Sequence, residues 1–356
     1  MKERIYVCHT FYHVYVTLLK ELALPAEMHG QATLVLSRMS NNFGSLGERA
    51  KKTGFFEDVI EFDEKRDTEF PELMKLKEDK GSTFKNMLAR IKYTKLYAKL
   101  EEPFIPVNFK EYKDIYIYCD SDPVGVYLNK KHIKYHAVED GLNTVANIDQ
   151  ARYENRGNFK LKAFMSKKLN LIFVCNGYGK YCKDMEVNDI SAIKYPCKYY
   201  VEVKRSDLTA RLNEDDIDLL FRVFINDLDG LKKRIEEGKR FDRKILVLTE
   251  PLCTLDVRER IFKDIVEEYG KDAQIFFKVH PRDYLDYATL FPEIPVFEGA
   301  IPMEMLNFFP DVHFDRCIGV LTEMKAIAFA DECVKLGPDF MDKYEDPKIH
   351  RQNEGI

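Results

Sequence analysis

Residues 4–22, Arg4-Ile5-Tyr6-Val7-Cys8-His9-Thr10-Phe11-Tyr12-His13-Val14-Tyr15-Val16-Thr17-Leu18-Leu19-Lys20-Glu21-Leu22, decide the fold class. Arg4–Cys8 is a short β-rich run, and Phe11–Leu22 follows it directly with helical spacing. A strand that gives way to a helix after two residues is how a parallel sheet begins, because parallel neighbours need a crossover between them. The rhythm continues through β-rich runs at Ala32–Ser37, Asp58–Phe62, Asp114–Cys119 and Ile133–Val138. Leu171–Cys175 and Tyr199–Val203 read as added strands or edge pieces. From Leu208 to Lys239 the pattern is helical and highly charged. The α/β alternation then restarts with a strand at Lys244–Leu248, a helix at Asp256–Tyr269 and a strand at Gln274–Val279. Shorter runs at Pro295–Phe297, Cys317–Leu321 and Cys333–Leu336 complete the second set. The expected organisation is a domain at 1–205, a helical connection at 206–243, a second domain at 244–340 and a tail at 341–356. Two such α/β domains are expected to face a cleft, with ligands at the carboxyl ends of the strands.

Composition narrows the function classes. A chain of 356 residues with 45% hydrophobic and 32% charged content buries a sizeable core and reads as soluble. Its formal net charge of -5 argues against general nucleic-acid affinity, so no nucleic-acid partner is expected. None of the eight cysteines forms a C-x-x-C pair, which argues against common zinc motifs and suits a reduced, cytoplasmic protein. No run reaches the roughly 18 apolar residues of a membrane span, and no signal peptide is expected. Phe84–Leu100 and Arg156–Leu169 read as basic amphipathic helices. Such helices present a solvated charged face or rest peripherally on the inner, anionic face of a membrane.

Two strand tips carry the candidate chemistry. Tyr135-His136-Ala137-Val138-Glu139-Asp140-Gly141 is an apolar run ending in two acids and a glycine. It is either a turn or a general base presented at a sheet opening. Phe276-Phe277-Lys278-Val279-His280-Pro281-Arg282-Asp283 ends in a histidine that proline holds at the strand exit. His280 suits donation to a leaving phosphate, and Lys278 and Arg282 add positive charge for an anionic donor. The alternative is simple strand termination by Pro281. Thr249-Glu250-Pro251 sits at the tip of the first strand of the second domain, placed to touch a base or phosphate. Glu304, after Pro302, is either an ordinary helix-start acid or a ligand for ribose hydroxyls. Thr322 is a helix cap or part of a phosphate-binding helix start. His9, Thr10 and His13 follow the first strand and are candidates for acceptor contact, with Thr10 equally a helix cap. A competing signal is the D-x-D Asp120-Ser121-Asp122, of the kind that holds a divalent metal; Asp227-Leu228-Asp229 matches it just as well.

Taken in order, Glu139-Asp140-Gly141, Lys278-Val279-His280-Pro281, Pro302-x-Glu304 and the Thr322 loop resemble bacterial sialyltransferases, most closely glycosyltransferase family 52 of the lipooligosaccharide and capsule group. The opening Val7-Cys8-His9-Thr10-Phe11-Tyr12-His13 is similar to that family's start. The resemblance implies a GT-B fold of two Rossmann-like domains and an inverting transfer from CMP-N-acetylneuraminate to a glycan acceptor. It implies no metal or other cofactor, and a homodimer. It makes Asp140 the base and His280 the group that assists the departing CMP phosphate. Lys278, Pro281, Arg282, Glu304, Thr322, Thr249 and Glu250 then fall on the donor side, and His9, Thr10, His13, Glu139 and Gly141 on the acceptor side. The readings it leaves open are a GT-B transferase using a UDP-linked hexose and a non-catalytic nucleotide- or glycan-binding relative.

Overall fold

Alternation of strand and helix builds two sheets in which every pairing is parallel. The computed structural model describes residues 1–118, 120–141, 145–151, 155–237, 241–309, 313–322, 324, 327 and 329–350. Cys119 and Glu323 lie outside the described residues. The chain divides into two compact units, Met1–Leu220 and Phe221–Ile356.

The first unit runs β1 (Lys2–Cys8), α1 (Phe11–Leu22), β2 (Ala32–Ser37), α2 (Leu46–Lys52), β3 (Phe56–Phe62), α3 (Pro71–Lys77), α4 (Thr83–Glu101), β4 (Tyr112–Tyr118), α5 (Pro123–Lys130), β5 (Tyr135–Val138), α6 (Phe159–Lys167), β6 (Cys182–Val187) and β7 (Tyr200–Glu202). It then continues into α7 (Arg205–Thr209). The strands lie in the order β3-β2-β1-β4-β5-β6-β7. β1 is central, so its Ile5–Cys8 run is buried on both faces, as a nearly continuous apolar strand requires. α1 is fastened to it by a buried polar cluster. Arg4 Nε and Nη2 donate to the two Glu21 carboxylate oxygens (3.0 and 2.9 Å), and Tyr6 Oη donates to the same group (2.7 Å).

Helix α8 (Glu214–Phe224) contains the division between units. The second unit continues with α9 (Leu228–Glu237), β8 (Arg243–Leu248), α10 (Leu255–Tyr269), β9 (Ala273–Lys278), β10 (Val296–Phe297), β11 (Phe314–Gly319) and β12 (Ala330–Lys335). Its strand order is β10-β9-β8-β11-β12. Each sheet therefore reverses direction beside its first strand, between β1 and β4 in one unit and β8 and β11 in the other. Ligands of open parallel sheets bind outside the carboxyl ends at such a reversal. Among the described residues no helix is long and apolar enough to cross a membrane.

One segment departs from its sequence pattern. Leu171–Cys175, read as an added strand or an edge piece, is irregular but buried, packed with Ile148 and Phe159 of the surrounding chain. Asn170 and Asn176 bracket it in left-handed conformations. Side chains take over its amide bonding, with Val174 N–H donating to Ser166 Oγ (2.9 Å) and Asn176 N–H to Asp120 Oδ1 (2.6 Å). The strand beside β5 is instead Cys182–Val187, whose half-buried, charged Lys183, Asp184 and Glu186 interrupt the buried Cys182, Met185 and Val187. Its charges are matched by neighbours: Lys20 with Glu186, Lys183 with Asp114 and His136 with Asp184.

Candidate active site

In the first unit the site forms where β1 and β4 part. The chain leaves β1 at Cys8, and Thr10 caps α1 by accepting the His13 amide on its hydroxyl (3.2 Å). The cap brings His9 and His13 onto one side of the first turn. The His9 amide donates to His13 Nδ1 (3.0 Å), so the neutral His13 ring carries its proton on Nε2 and donates it to Asp140 Oδ1. Burial keeps His13 below its ordinary pKa despite the carboxylate, and the His9 charge pushes in the same direction as burial. The His13 ring also stacks on Tyr118, with centroids 4.5 Å apart, which fixes its plane.

His9 has the opposite charge state. Burial works against its cation, but Glu64, with Asp122 and Asp140 beyond it, more than offsets this and raises its pKa to about 9. His9 Nε2 donates to Glu64 Oε2 (2.7 Å) and lies 3.6 Å from Asp122 Oδ2. Glu64 also accepts Ser37 Oγ (2.7 Å) and the Val124 amide (2.8 Å). Burial alone would raise Glu64, yet His9 and these donors hold it below the usual carboxylate range. A fixed cation and a neutral imidazole thus flank the tip of β5.

At that tip the two acids separate. Glu139 is buried, accepts the Asn188 amide (2.7 Å), and has its pKa pushed up by burial. Asp140 is 25% exposed on its side chain and is the acid that reaches solvent. Gly141 follows with φ +151°, a conformation L side chains rarely adopt. The competing D-x-D does not present clustered oxygens: Asp120 is buried and accepts the Asn176 amide and Tyr135 Oη (3.1 Å). Among the described residues no group of three or more His, Cys, Asp or Glu is arranged to hold a metal.

In the second unit the equivalent position holds Thr249 and Glu250. Thr249 Oγ1 accepts the His280 amide (3.1 Å), tying the two strand exits together. His280 Nδ1 accepts the Arg282 amide (3.1 Å), which leaves the ring proton on Nε2. Its pKa is lowered by burial first and by the charges of Arg282 and Lys278 after it, so the ring is a neutral hydrogen-bond donor. Gly299 allows this exit to pack closely, since a Cβ there would meet Pro281 Cα at 3.0 Å. Lys278 is buried and donates to the Val279 and Glu298 carbonyls (2.8 and 3.2 Å). Burial lowers its pKa to about 7 against the pull of Glu304. Pro281, Arg282 and Glu304 are exposed. The half-buried Thr322 belongs to the loop after β11.

The Glu250 carboxylate fills the amide nest at that loop. Oε1 accepts the amides of Val320 (2.9 Å), Leu321 (2.9 Å) and Thr322 (3.0 Å), and Oε2 accepts Leu321 again (3.1 Å). Three successive amides around one anion are a phosphate-type site, here occupied by the protein's own carboxylate. Glu250→Ala is expected to lower the stability of the second unit by roughly 1–3 kcal/mol, the cost of leaving buried amides unsatisfied. Inorganic phosphate should restore part of it, read as a larger phosphate-dependent rise in melting temperature than in wild type. Equal phosphate responses in the two proteins would show that the nest takes no outside anion.

The sequence offered Asp140 as a base and His9, Thr10 and His13 as acceptor contacts, and the structure places His13 in hydrogen-bond contact with Asp140, with Thr10 and His9 bonded to His13. It also joins Thr249 to His280 and Glu250 to Thr322. Glu64 was missed, although the acid pair Asp63-Glu64 follows β3 much as Glu139-Asp140 follows β5. Tyr118 was missed because nothing in an apolar strand singles out one ring.

Comparison with known proteins agrees in family and fold. The profile of glycosyltransferase family 52 matches residues 59–316, more than half of the chain. An uncharacterized protein of Haemophilus influenzae is 29% identical over 171 residues, covering 41% of this chain and 55% of that protein. The chain thus spans about half the length of this curated relative. A Photobacterium 2,6-sialyltransferase, solved with CMP and lactose, matches 94% of this chain and 71% of its own at 11% identity and a TM-score of 0.52. The GT-B domain of a Photobacterium damselae sialyltransferase covers 90% of this chain and 86% of its own at 14% identity, with a TM-score of 0.49. At such identity the first of these structures speaks for the fold, two parallel α/β units of the GT-B type.

Proposed function

The chain belongs to glycosyltransferase family 52, and from that premise we propose that it transfers N-acetylneuraminate from CMP-N-acetylneuraminate to a terminal galactoside of a bacterial surface glycan, a lipooligosaccharide or capsule. The observation that carries the catalytic reading is Asp140, the less buried acid of its pair, held by the proton of a neutral, buried His13. In this reading Asp140 takes the proton of the acceptor hydroxyl as its oxygen bonds to the anomeric carbon. The bond from that carbon to the CMP phosphate oxygen breaks on the opposite side, so the configuration inverts. Charge collects on the departing phosphate, where His280 offers the Nε2 hydrogen bond. The exposed Glu304 serves the cytidine ribose, and the Thr322 loop serves the phosphate once Glu250 gives up its amides. Sialic acid leaves CMP through an oxocarbenium-like state, so a placed base and one donor suffice, each worth roughly 10²–10⁴-fold, and no metal is called for. We assign the enzyme to the cytoplasm, working as a homodimer.

A nucleotide panel followed by an activity assay tests this. CMP should raise the melting temperature where UDP does not, and CMP-sialic acid with lactose-type acceptors should give sialylated product at the same rate with and without EDTA. Stabilisation by UDP with turnover of a UDP-hexose would replace the donor. Binding of CMP with no turnover of any sugar donor would make the protein a non-catalytic relative.

A further inference from the structure

The net charge of -5 conceals a strong local imbalance. Residues 80–100 contain six lysines and arginines and no acid, and residues 156–183 contain seven and no acid. The first stretch contains nearly all of α4 and the second contains α6. Met87 and Ile91 of α4 pack against the same apolar cluster as Phe159, Ala163 and Met165 of α6, so the two helices share one part of the core.

Their outer faces carry the rest. Phe84 is 74% exposed, and Leu88, Leu161, Phe164 and Leu169 are 50–56% exposed. Phe84 and Leu88 stand one turn apart on α4, and the exposed Lys92, Lys95 and Lys99 continue that face. On α6, Leu161 and Phe164 share a face with the exposed Lys168. Single exposed apolar residues need no explanation, but four on two helices that share a core cluster, with Leu169 just past α6, lie in stretches rich in lysine and free of acids and form a basic, apolar surface. Beside it lies a cavity of about 1100 Å³ lined by Met87 and Arg90 of α4 and Lys162 of α6. The same cavity reaches Asp122, the neighbour of His9.

We propose that the outer faces of α4 and α6 dock on an anionic lipid bilayer. The apolar side chains enter the headgroup boundary and the lysines meet the lipid phosphates. A second copy of the chain is a poor occupant, because a symmetric contact would set lysines against lysines. The assignment is independent of the donor, because vesicle binding is read without turnover.

Sedimentation of the full chain with vesicles tests it. Vesicles of equal parts phosphatidylcholine and phosphatidylglycerol should capture the protein, pure phosphatidylcholine should not, and added salt should release it. Leu161→Ser with Phe164→Ser, and separately Lys92→Glu with Lys95→Glu, should each weaken capture about 10-fold or more, since each removes one of the two contributions to interfacial binding. Circular dichroism and transfer to a soluble acceptor should stay at wild-type values in both variants. Capture unchanged by either pair would overturn the proposal. So would equal capture by neutral vesicles, a dimer that these substitutions dissolve, or preference for RNA or an acidic protein over the vesicles.

Discussion

Asp140→Asn is expected to slow sialyl transfer roughly 10²–10⁴-fold while leaving the fold and the donor KM close to wild type. The amide keeps an oxygen to accept the His13 proton, so the hydrogen bond that orients the side chain survives the change. What disappears is the lone pair that takes the acceptor proton, a loss confined to the transition state and read in kcat. Glu139 is the control, because the two acids are adjacent in sequence and opposite in setting. Glu139→Gln keeps an oxygen for the Asn188 amide and should retain most of the rate. His13 acts through Asp140 and is a positioning residue. His13→Gln can still offer an N–H, whereas His13→Leu cannot, so glutamine should keep more kcat than leucine at an unchanged acceptor KM. An Asp140→Asn enzyme that works at the wild-type rate would remove the base assignment. A dead Glu139→Gln beside an active Asp140→Asn would move it by one residue.

The sequence showed the elements better than their partners, for physical reasons. β1 and α1 were legible because a fully buried parallel strand must be apolar and a capped helix must follow it at once. Leu171–Cys175 misled because its apolar content satisfied burial, while its backbone bonding came from Ser166 and Asp120, residues that periodicity does not register. Cys182–Val187 was passed over because its outward positions are charged and hide a short strand. The chemical residues were legible by type and position at strand ends, but their charge states were not. His9 is cationic because Glu64 arrives after β3, and His13 is neutral because the fold buries it, with its proton left on Nε2 because the His9 amide occupies Nδ1. The Glu64 and Asp140 partners of these rings come from distant parts of the chain, 55 and 127 residues away. Glu250 is the sharper case: it was read as a donor contact, and in the fold it holds the amides that a phosphate would use.

Asp283→Ala should destabilise the second unit by about 3–5 kcal/mol, the range for breaking a buried ion pair by removing one partner. Asp283 closes the His280-Pro281-Arg282-Asp283 turn, where its amide donates to the His280 carbonyl (2.8 Å). Its side chain is fully buried and accepts Arg258 Nη1 (2.5 Å) on one oxygen and Tyr287 Oη (2.8 Å) on the other. Arg258 spends its remaining donors on the Leu252 and Cys253 carbonyls, in the loop that follows Glu250. One ion pair therefore links the turn carrying His280 to the loop beside the amide nest. Alanine leaves the Arg258 charge buried without its counterion, which costs more than the pair contributes when intact. The double variant Arg258→Met with Asp283→Leu removes both charges and should recover most of the stability. It should not recover transfer, because the turn and the Leu252–Cys253 loop lose their common tether. Urea unfolding followed by circular dichroism reads the first quantity, a suitable probe for a chain without tryptophan. A single-variant loss below about 1 kcal/mol, the range of an exposed pair, would mean that water reaches Asp283 and that the turn is held by other contacts.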